Sequence, residues 1–458
     1  MNTQPNYIVA VIGAGVSGSE TAKQLSARGI ITVLFEQNPL PYGKIEEGLP
    51  KWHIKLRDQE ERKIDEKLKQ PLISFVPDTA MGKDFSLREI LDWGFSAVIL
   101  AIGAGRDRKL NLPGIDNYLG KGLYYQNELV SWFNHKHEAG FRGPFCQTVD
   151  DAVVIGGGLA SLDVVKILML ETVSQALWEK GIKVDLFNLE REGFPIVFKR
   201  YGVTLSSLGL KGCQLFYRRR LVDMPLTPMP DDVDDLRREK VQQLRLRILD
   251  NFRQKYLFRV EECLSPVEFL SDGEGLQGII FREREFRGKE WFDTTRLKEI
   301  YTPLIISSIG SVPGSFDDLP AEGDLLAIEN QETGKLRGFD NVFAIGNAVT
   351  GRGNIKESLV HSRETVSRIL VDQDWGRDKR FEEWINQEEI QSARVVQQIA
   401  NKLSKTKPSS ESDFRNILSR VSQLQEKAGY HGEYDSWIKA HLPIRLETLL
   451  DQEKSKSG

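Results

Sequence analysis

Two stretches of the sequence place glycines where an apolar strand turns into a helix. GAGVSG spans residues 13–18 and follows the run YIVAVI, and GGGLAS spans residues 156–161 and follows DAVVI. In such a turn the first glycine allows the bend and the second lets the backbone approach a pyrophosphate. A small third residue lets helix and strand pack closely, and the helix N-terminus offers N–H groups to the anion. Two turns in one chain predict two nucleotides.

The first turn is followed by a strand that ends in an acidic residue. ITVLFEQ closes on Glu36, about twenty residues after the first glycine, where a carboxylate can bind the hydroxyl groups of a ribose. The residues assigned to the glycine roles are Gly13, Gly15 and Gly18 in the first turn and Gly156, Gly158 and Ser161 in the second.

The strand after the second turn decides the coenzyme, because an acidic end suits NAD and a basic end suits the 2′-phosphate of NADP. KVDLFNLE ends in Glu190, but its apolar spacing suits a helix at least as well as a strand. CQLFYRRR lies further along and ends in Arg218, Arg219 and Arg220. We favour the arginines, since a guanidinium fork binds phosphate bidentately and a dianion relieves the repulsion between neighbouring cations.

Other segments predict the elements that must hold these turns. DFSLREILDWGFSAVILAIGA predicts a helix and a buried strand that ends near Gly103, and YTPLIISSIGSVPG predicts a strand that ends near Gly310. The segment LRGFDNVFAIGNAVTGRGNIKESLVHSRETVSRIL predicts a strand, a glycine-rich turn and a helix from about Ile355. LRDQEERKIDEKLK, after Lys55, is most simply a solvated helix face.

Composition excludes several classes of protein. A net charge of −4 argues against a general binder of nucleic acid, and no apolar run is long enough to span a bilayer. The three cysteines, Cys146, Cys213 and Cys263, are far apart, which excludes a Cys-x-x-Cys redox pair or a cluster held by four thiolates. Few cysteines and a polar N-terminus without the pattern of a signal or transit peptide favour a cytoplasmic protein.

The character of the chain changes from about Asp372. FEEWINQEEIQSARVVQQIANKL and DFRNILSRVSQLQEKAG have the spacing of amphipathic helices, and the polar linker SKTKPSSES separates them. The tail contains no glycine-rich nucleotide motif. We interpret it as a helical appendage rather than a catalytic domain.

Between residues 7 and 370 the chain resembles adrenodoxin reductase and its bacterial ferredoxin–NADP reductase relatives, flavoproteins of the glutathione-reductase-like class. The motifs that carry the resemblance are, in order, GAGVSG, FEQNPLPYGKIEEGLPKWH, AVILAIGA, LNLPGI, ELVSWFN and GGGLASLDVVKIL. YRRRLVDMP is also similar to a motif of the small subunit of glutamate synthase.

The resemblance implies an α/β fold with two Rossmann-like dinucleotide-binding domains, the NADP domain being inserted in the FAD domain. The expected boundaries are 1–108 and 318–372 for the two FAD segments, 109–317 for the NADP domain and 373–458 for the helical C-terminal appendage.

The resemblance also implies which residues bind the two cofactors. Those expected to hold FAD are Gly13, Ala14, Gly15, Gly18, Glu36, Lys44, Gly103, Gly346, Asn347, Asn354 and Ile355. Those expected to hold NADPH are Gly156, Gly158, Leu159, Ala160, Arg218, Arg219 and Arg220, with Arg220 either a third phosphate contact or a surface residue.

Some positions depart from the family or have two interpretations. Asn347 stands where relatives have an aspartate or a tryptophan, and its amide can still bind the ribityl chain, although the flavin potential then changes. Asn354 replaces a glycine, and asparagine tolerates positive φ better than most residues. His53 matches a family histidine near the flavin's electron exit, but a lone histidine is more often a packed or surface residue. Trp52 is assigned to packing.

The implied function is transfer of electrons from NADPH through FAD to a separate ferredoxin or flavodoxin, without a side-chain acid or base and without a metal. Two alternatives stay open. One is an electron-input subunit like the small chain of glutamate synthase, although the cysteine-rich domain of that subunit is absent. The other is a non-catalytic nucleotide-binding scaffold. The arginine-rich segment from Leu236 is either a solvated helix face or a docking surface for an acidic partner.

Overall fold

The computed structural model describes residues 7–229, 234–288, 290–350 and 377–457. The chain divides into two compact units. One comprises Met1–Leu49, His53–Arg106 and Ser311–Pro443, and the other comprises Pro50–Trp52, Asp107–Gly310 and Ile444–Gly458. The chain therefore leaves the first unit and returns to it, as expected of one α/β unit inserted in another.

The described strands are β1 (Ile8–Ile12), β2 (Ile31–Phe35), β3 (Ile73–Val76), β4 (Ala97–Leu100), β5 (Arg106–Asp107), β6 (Leu123–Tyr125), β7 (Val153–Gly156), β8 (Gln214–Phe216), β9 (Arg259–Glu261), β10 (Leu264–Ser271), β11 (Leu276–Arg287), β12 (Glu290–Tyr301), β13 (Ile305–Ser308), β14 (Ser311–Val312), β15 (Ala321–Glu322), β16 (Leu325–Leu326), β17 (Ile328–Asn330), β18 (Lys335–Leu336) and β19 (Val342–Ala344).

The described helices are α1 (Val16–Ser26), α2 (Lys44–Glu47), α3 (Ile54–Leu68), α4 (Leu87–Asp92), α5 (Gln126–His135), α6 (Leu159–Glu179), α7 (Leu186–Glu192), α8 (Phe194–Tyr201), α9 (Asp235–Tyr256), α10 (Asn347–Thr350), α11 (Arg377–Leu403), α12 (Glu411–Ala428), α13 (Tyr434–His441) and α14 (Leu446–Ser457). Short 3-10 turns cover Ile115–Tyr118, Ser206–Leu208 and Leu221–Asp223.

The first unit is built on a seven-stranded sheet in the order β17-β18-β19-β4-β1-β2-β3. β1 pairs in parallel with β2 and β4, and all five of its residues are buried, as expected of a strand covered on both faces. Because side chains alternate along a strand, Val9 and Val11 enter one apolar core and Ile8, Ala10 and Ile12 the other. The strand order reverses between β1 and β4, which is where open α/β sheets bind ligands.

The second unit contains a five-stranded parallel sheet in the order β6-β13-β7-β8-β9. Its strand order reverses between β7 and β13. An antiparallel sheet, β10-β11-β12, follows in the chain, and Ile279 and Phe281 of β11 share a core with Val153 and Ile155 of β7. The fold class expected from the sequence, including the helical C-terminal region, is confirmed.

Two of the C-terminal helices, α11 and α12, pack on the sheet of the first unit, whereas α14 belongs to the second unit. Ile385, Val396 and Ile399 of α11 lie in the core on one face of that sheet, and Ile417 and Val421 of α12 lie in the core on the other. The tail is helical as predicted, but it forms part of the unit's interior because its apolar stripes have no other surface to cover.

The interpretation of α3 as a solvated face is wrong in part. Arg57, Glu60, Glu61 and Lys67 are all less than a tenth exposed. Lys67 forms ion pairs with Glu20, at 3.2 Å, and with Glu389 of α11. A run of charges in the sequence does not distinguish solvated side chains from ones that pair with other helices. Among the described residues, no helix has both the length and the apolarity needed to cross a membrane.

Candidate nucleotide sites

The first glycine turn needs glycine at two positions because the backbone comes close to itself there. Gly13 follows β1 with φ +98°, and a Cβ on it would lie 2.5 Å from the carbonyl oxygen of Ala101. A Cβ on Gly18 would lie 1.8 Å from the carbonyl oxygen of Gly13. These contacts account for the bend and for the close packing of α1 on the strand.

Gly15 differs from its neighbours because the space beside it is open. It caps α1, and the nearest described atom to a Cβ placed there would be the Cα of Gly43, at 3.9 Å. The first turn of α1 carries no acidic residue. The turn therefore leaves room for a pyrophosphate beside the helix N-terminus, on a surface formed by two facing glycines.

Glu36 lies beside this turn, just beyond β2, and its carboxylate is held by backbone donors. The N–H groups of Ala14 and Asn38 donate to its two oxygens at 2.8 and 3.0 Å. Burial raises the pKa of Glu36 to about 7, although these hydrogen bonds favour the charged form. The carboxyl group is thus fixed at the position expected for a ribose ligand.

The residues expected near the flavin lie at the same carboxyl edge of the sheet, after β4 and β19, which run parallel to β1. Gly103 has φ +60° and open space around its Cβ position, whereas a Cβ on Gly346 would lie 2.4 Å from the hydroxyl oxygen of Ser17. The Oδ1 atom of Asn347 is buried and has no hydrogen-bond partner within the described ranges. A buried acceptor without a donor is costly, and the hydroxyl groups of a ribityl chain would supply the donor.

For the other residues expected at this site, the structure gives the position in the fold but no contact that indicates a cofactor. Lys44 begins the short helix α2, and His53 caps α3. Asn354 and Ile355 lie outside the described residues. Trp52 belongs to the second unit, where its ring packs on Phe133 at 5.4 Å and lies under Lys166, in agreement with a packing role.

The second glycine turn, at the strand-order reversal of the other unit, repeats this geometry. A Cβ on Gly156 would lie 2.2 Å from the hydroxyl oxygen of Ser161 and 2.3 Å from the carbonyl oxygen of Ser308. Ser161 is buried, and its hydroxyl donates to that carbonyl at 3.0 Å, so the small polar residue replaces the third glycine without loss of packing. Gly158 caps α6 and has no described atom within 4 Å of its Cβ position. Leu159 and Ala160 form the first turn of α6.

The arginines follow the strand next to this turn. β8 pairs in parallel with β7, and Tyr217, just beyond it, packs so close to Gly157 that a Cβ there would lie 2.2 Å from the ring. Arg218 and Arg219 are exposed, and within the described ranges their side chains form no ion pair. Arg220 is engaged by Asp223, with hydrogen bonds of 2.8 and 3.0 Å.

Glu190, the acidic residue considered as an alternative ribose ligand, lies on a helix and pairs with other side chains of the unit. Residues 186–192 form α7, so Glu190 does not end a strand, and the alternative interpretation of KVDLFNLE as a strand is wrong. Burial would raise the pKa of Glu190, but the ion pair with Lys166 and the hydroxyl of Tyr256 lower it overall. The carboxylate is therefore stabilised within the unit's own packing.

One residue at the first site is not indicated by any motif or spacing in the sequence. Glu388 of α11 is 3% exposed, and its Oε2 atom accepts a 2.7 Å hydrogen bond from Ser17 in the first turn of α1. A Cβ on Gly346 would lie 2.6 Å from the same oxygen. The C-terminal tail thus reaches the turn that carries the first glycine motif.

Comparison with known proteins agrees with the resemblance found in the sequence. Residues 7–180 match the pyridine nucleotide-disulphide oxidoreductase family. A probable NADPH:adrenodoxin oxidoreductase of Schizosaccharomyces pombe is 32% identical over 164 residues, which is 35% of this chain and 34% of that protein. The NADPH:adrenodoxin oxidoreductase of Arabidopsis thaliana is 31% identical over 49% of this chain and 47% of its own length. The resemblance to the adrenodoxin reductases is confirmed.

Longer matches come at lower identity. NADPH-ferredoxin reductase FprA of Mycobacterium leprae is 25% identical over 80% of this chain and 84% of its own length. The structure of Mycobacterium tuberculosis FprA in complex with NADPH has a TM-score of 0.67 at 19% identity, covering 93% of this chain and 91% of that one, which establishes the fold. In the adrenodoxin reductase matches the chain spans only about a third to a half of each relative. The similarity to the small subunit of glutamate synthase stays a prediction.

Proposed function

We propose that this protein is an NADPH-dependent FAD oxidoreductase that passes electrons to a separate ferredoxin or flavodoxin. One observation carries the proposal: each unit has a glycine turn with open space at a helix N-terminus, and beside the second turn lie two exposed arginines that form no ion pair within the described ranges. Two dinucleotides of different kinds fit that arrangement. The named relatives support the choice of coenzyme and of partner.

In this proposal the first unit binds FAD and the second binds NADPH, with boundaries near those expected from the sequence. The open face at Gly15 receives the FAD pyrophosphate, Glu36 accepts hydrogen bonds from the ribose, and Asn347 accepts one from the ribityl chain. Lys44 adds a positive charge beside the same turn. When bound, FAD accepts a hydride from NADPH and can release electrons one at a time.

The second unit supplies the coenzyme specificity. The open face at Gly158, with the first N–H groups of α6, receives the NADPH pyrophosphate. Arg218 and Arg219 bind the 2′-phosphate, which supplies the counter-charge that their side chains lack among the described residues. The protein's task is to bind and orient both dinucleotides, because hydride transfer requires no acid or base from a side chain.

The cysteines of the chain support a separate electron acceptor. All three are free, and burial raises the pKa of Cys146 to about 12 and raises the pKa of Cys213 and Cys263 as well. A thiol held protonated is a poor redox nucleophile, so we assign these cysteines no relay role. Free thiols also suit a reducing compartment, and a cytoplasmic location is part of the proposal.

The partner surface proposed here is the exposed face of α9. Val241, Ile248 and Phe252 bury its apolar stripe, and Arg245 is also buried, where its guanidinium donates to the carbonyl oxygen of Thr227. The helix is thus not solvated all round. Its exposed cations are Arg238, Lys240, Arg247 and Arg253, of which Arg253 forms a 3.5 Å ion pair with Asp250, and together they offer a basic face to an acidic protein.

The proposal is tested by measuring oxidation of NADPH by the purified flavoprotein with ferredoxin, flavodoxin or a quinone as acceptor. We expect rapid reduction of an acidic ferredoxin or flavodoxin, at a rate that falls as ionic strength rises, and little reduction of the quinone. A protein that reduces only the quinone, or no acceptor at all, would contradict the proposed partner class. A rate insensitive to salt would exclude the basic face of α9 as the docking surface.

A further inference from the structure

Arg220 is held by two side chains, although the two arginines before it form no ion pair within the described ranges. Its Nε and Nη2 atoms donate to the two oxygens of Asp223, at 2.8 and 3.0 Å, in the bidentate geometry that fixes a guanidinium plane. The ring of Phe286 lies on the other side, with its centroid 4.5 Å from the guanidinium carbon.

The backbone of the same turn is fixed by hydrogen bonds at several points. The N–H of Asp223 donates to the carbonyl oxygen of Arg220 at 2.9 Å, and the hydroxyl of Tyr217 donates to the carbonyl oxygen of Asp223 at 3.1 Å. The N–H of Cys263 donates to the carbonyl oxygen of Arg219 at 3.1 Å. The turn after β8 is therefore stabilised by its own hydrogen bonds and by one hydrogen bond from the segment between β9 and β10.

Phe286 comes from a different element. It lies near the end of β11, is 38% exposed, and packs on Trp291 of β12 with ring centroids 5.2 Å apart. The long hairpin β11–β12 thus places an aromatic ring against an arginine in the turn that follows β8.

We propose that Arg220 is a positioning residue and not a phosphate ligand. Asp223 and Phe286 form a clamp on its guanidinium group. The clamp fixes the turn that orients Arg218 and Arg219, and so it contributes to the preference for NADPH. The inference rests on the proposed NADP site. It assigns a coenzyme-specificity role to the hairpin β11–β12, which lies outside the dinucleotide-binding sheet.

The charges explain why only two of the three arginines are left for the ligand. Asp223 neutralises Arg220 locally, which reduces the repulsion that a third adjacent cation would add. A phosphate bound by Arg220 would have to compete with a carboxylate already in bidentate contact. Because Arg220 stays on Asp223, the two exposed guanidinium groups, which contact no carboxylate of the described residues, remain for the 2′-phosphate.

Asp223→Asn and Phe286→Ala separate the two possible roles, because each removes one side of the clamp and leaves the guanidinium group of Arg220 in place. Arg220→Lys keeps the charge but cannot form the fork. We would measure the Kd of adenosine 2′,5′-bisphosphate, and KM and kcat with NADPH and NADH, for Arg220→Lys, Arg220→Ala, Asp223→Asn and Phe286→Ala. Phe292→Ala, at an exposed position on the other strand of the hairpin, is the matched control.

Loss of the clamp should weaken the bisphosphate about threefold to tenfold in Arg220→Lys, as much as in Arg220→Ala, and about twofold to fivefold in Phe286→Ala. KM for NADPH should rise as the affinity for the bisphosphate falls, while kcat with NADPH and both kcat and KM with NADH stay unchanged. An Arg220→Lys protein that binds like the unmutated one would show that the clamp is not needed. An Asp223→Asn protein that binds more tightly would show that the released guanidinium group contacts the phosphate. Either result would overturn the inference. An unmutated protein that does not bind the bisphosphate would overturn the proposed NADP site as well.

Discussion

The hydroxyl of Ser17 donates a 2.7 Å hydrogen bond to Oε2 of Glu388, across 371 positions of sequence. The bond joins the first turn of α1 to the helix α11 of the C-terminal tail. Burial raises the pKa of Glu388, so this carboxyl group is more readily protonated than one in water. The tail therefore contributes a polar group to the first nucleotide turn.

We expect Glu388→Ala to lower the free energy of unfolding by about 1–3 kcal/mol, because it leaves the hydroxyl of Ser17 without this partner in a buried setting. FAD should then be lost more readily on gel filtration. Glu388→Gln keeps an acceptor and removes a charge that is costly to bury, so it should be as stable as the unmutated protein or more so. Thermal unfolding and flavin content measure both effects. An alanine variant that keeps full stability and flavin would contradict this role.

Glu36 predicts a pH dependence for FAD binding. Its pKa is about 7 in the apoprotein against 4.5 for the free group, so the apoprotein loses up to about 3 kcal/mol of stability as pH rises from 4.5 to 7. Ribose hydroxyl groups donate to the ionised carboxylate, so FAD binding favours loss of the proton. We expect affinity to increase with pH up to about 7 and to level off above it.

The measurement is the Kd of FAD for the apoprotein between pH 5 and pH 8, about the range in which such a group titrates. It is best made in the Glu388→Gln background, because the carboxyl group of Glu388 also titrates. Glu36→Gln in the same background serves as the control and should bind weakly without this pH dependence. A rise in affinity that persists in the glutamine variant would assign the titration to another group.

The two glycines of the second turn should respond differently to alanine. Gly158 has φ −86° and open space beside it, so Gly158→Ala should fold normally. Its methyl group would occupy the space of the pyrophosphate and weaken NADPH by about tenfold or more, that is about 1.4 kcal/mol. Gly156→Ala should instead destabilise the protein, because its Cβ would lie 2.3 Å from a backbone oxygen. Equal NADPH affinity in Gly158→Ala and the unmutated protein would contradict the assigned site.

The arginines should decide between the coenzymes. Removing a charged hydrogen-bond set from the 2′-phosphate costs roughly 1.5–3 kcal/mol, or about tenfold to hundredfold in affinity. Arg218→Ala or Arg219→Ala should weaken NADPH by that amount and leave NADH nearly unchanged. Arg247→Ala, which removes an exposed arginine of α9, controls for the general loss of positive charge. If NADH proves the better donor for the unmutated protein, the arginines do not select the coenzyme.

The sequence predicted the parts of the sites that depend on local spacing. Gly13, Gly18 and Gly156 lie where the backbone needs them, and Glu36 lies beside the first turn, because a glycine pattern directly encodes a bend between strand and helix. The expectation that the chain returns to a parallel strand before Arg218 also agrees with β8.

Contacts between distant segments could not be predicted in this way. No spacing links Ser17 to Glu388 or Arg220 to Phe286, since each pair meets only after the sheets have formed. The charged residues of α3 and α9 look like solvated ones in the sequence. Lys67 and Arg245 are nevertheless buried, because Glu20 pairs with the first and the carbonyl oxygen of Thr227 accepts from the second. The spacing of apolar residues along a helix distinguishes its apolar face from its polar face. It does not identify which residues of the polar face are buried by other elements.

The central claim is tested most directly by anaerobic titration of the purified flavoprotein with NADPH while the visible flavin absorbance is recorded. We expect a yellow protein whose flavin band bleaches on addition of NADPH, and far less readily on addition of NADH at the same concentration. A protein that retains no flavin after gentle extraction, or one whose flavin band is unchanged by NADPH, would contradict it.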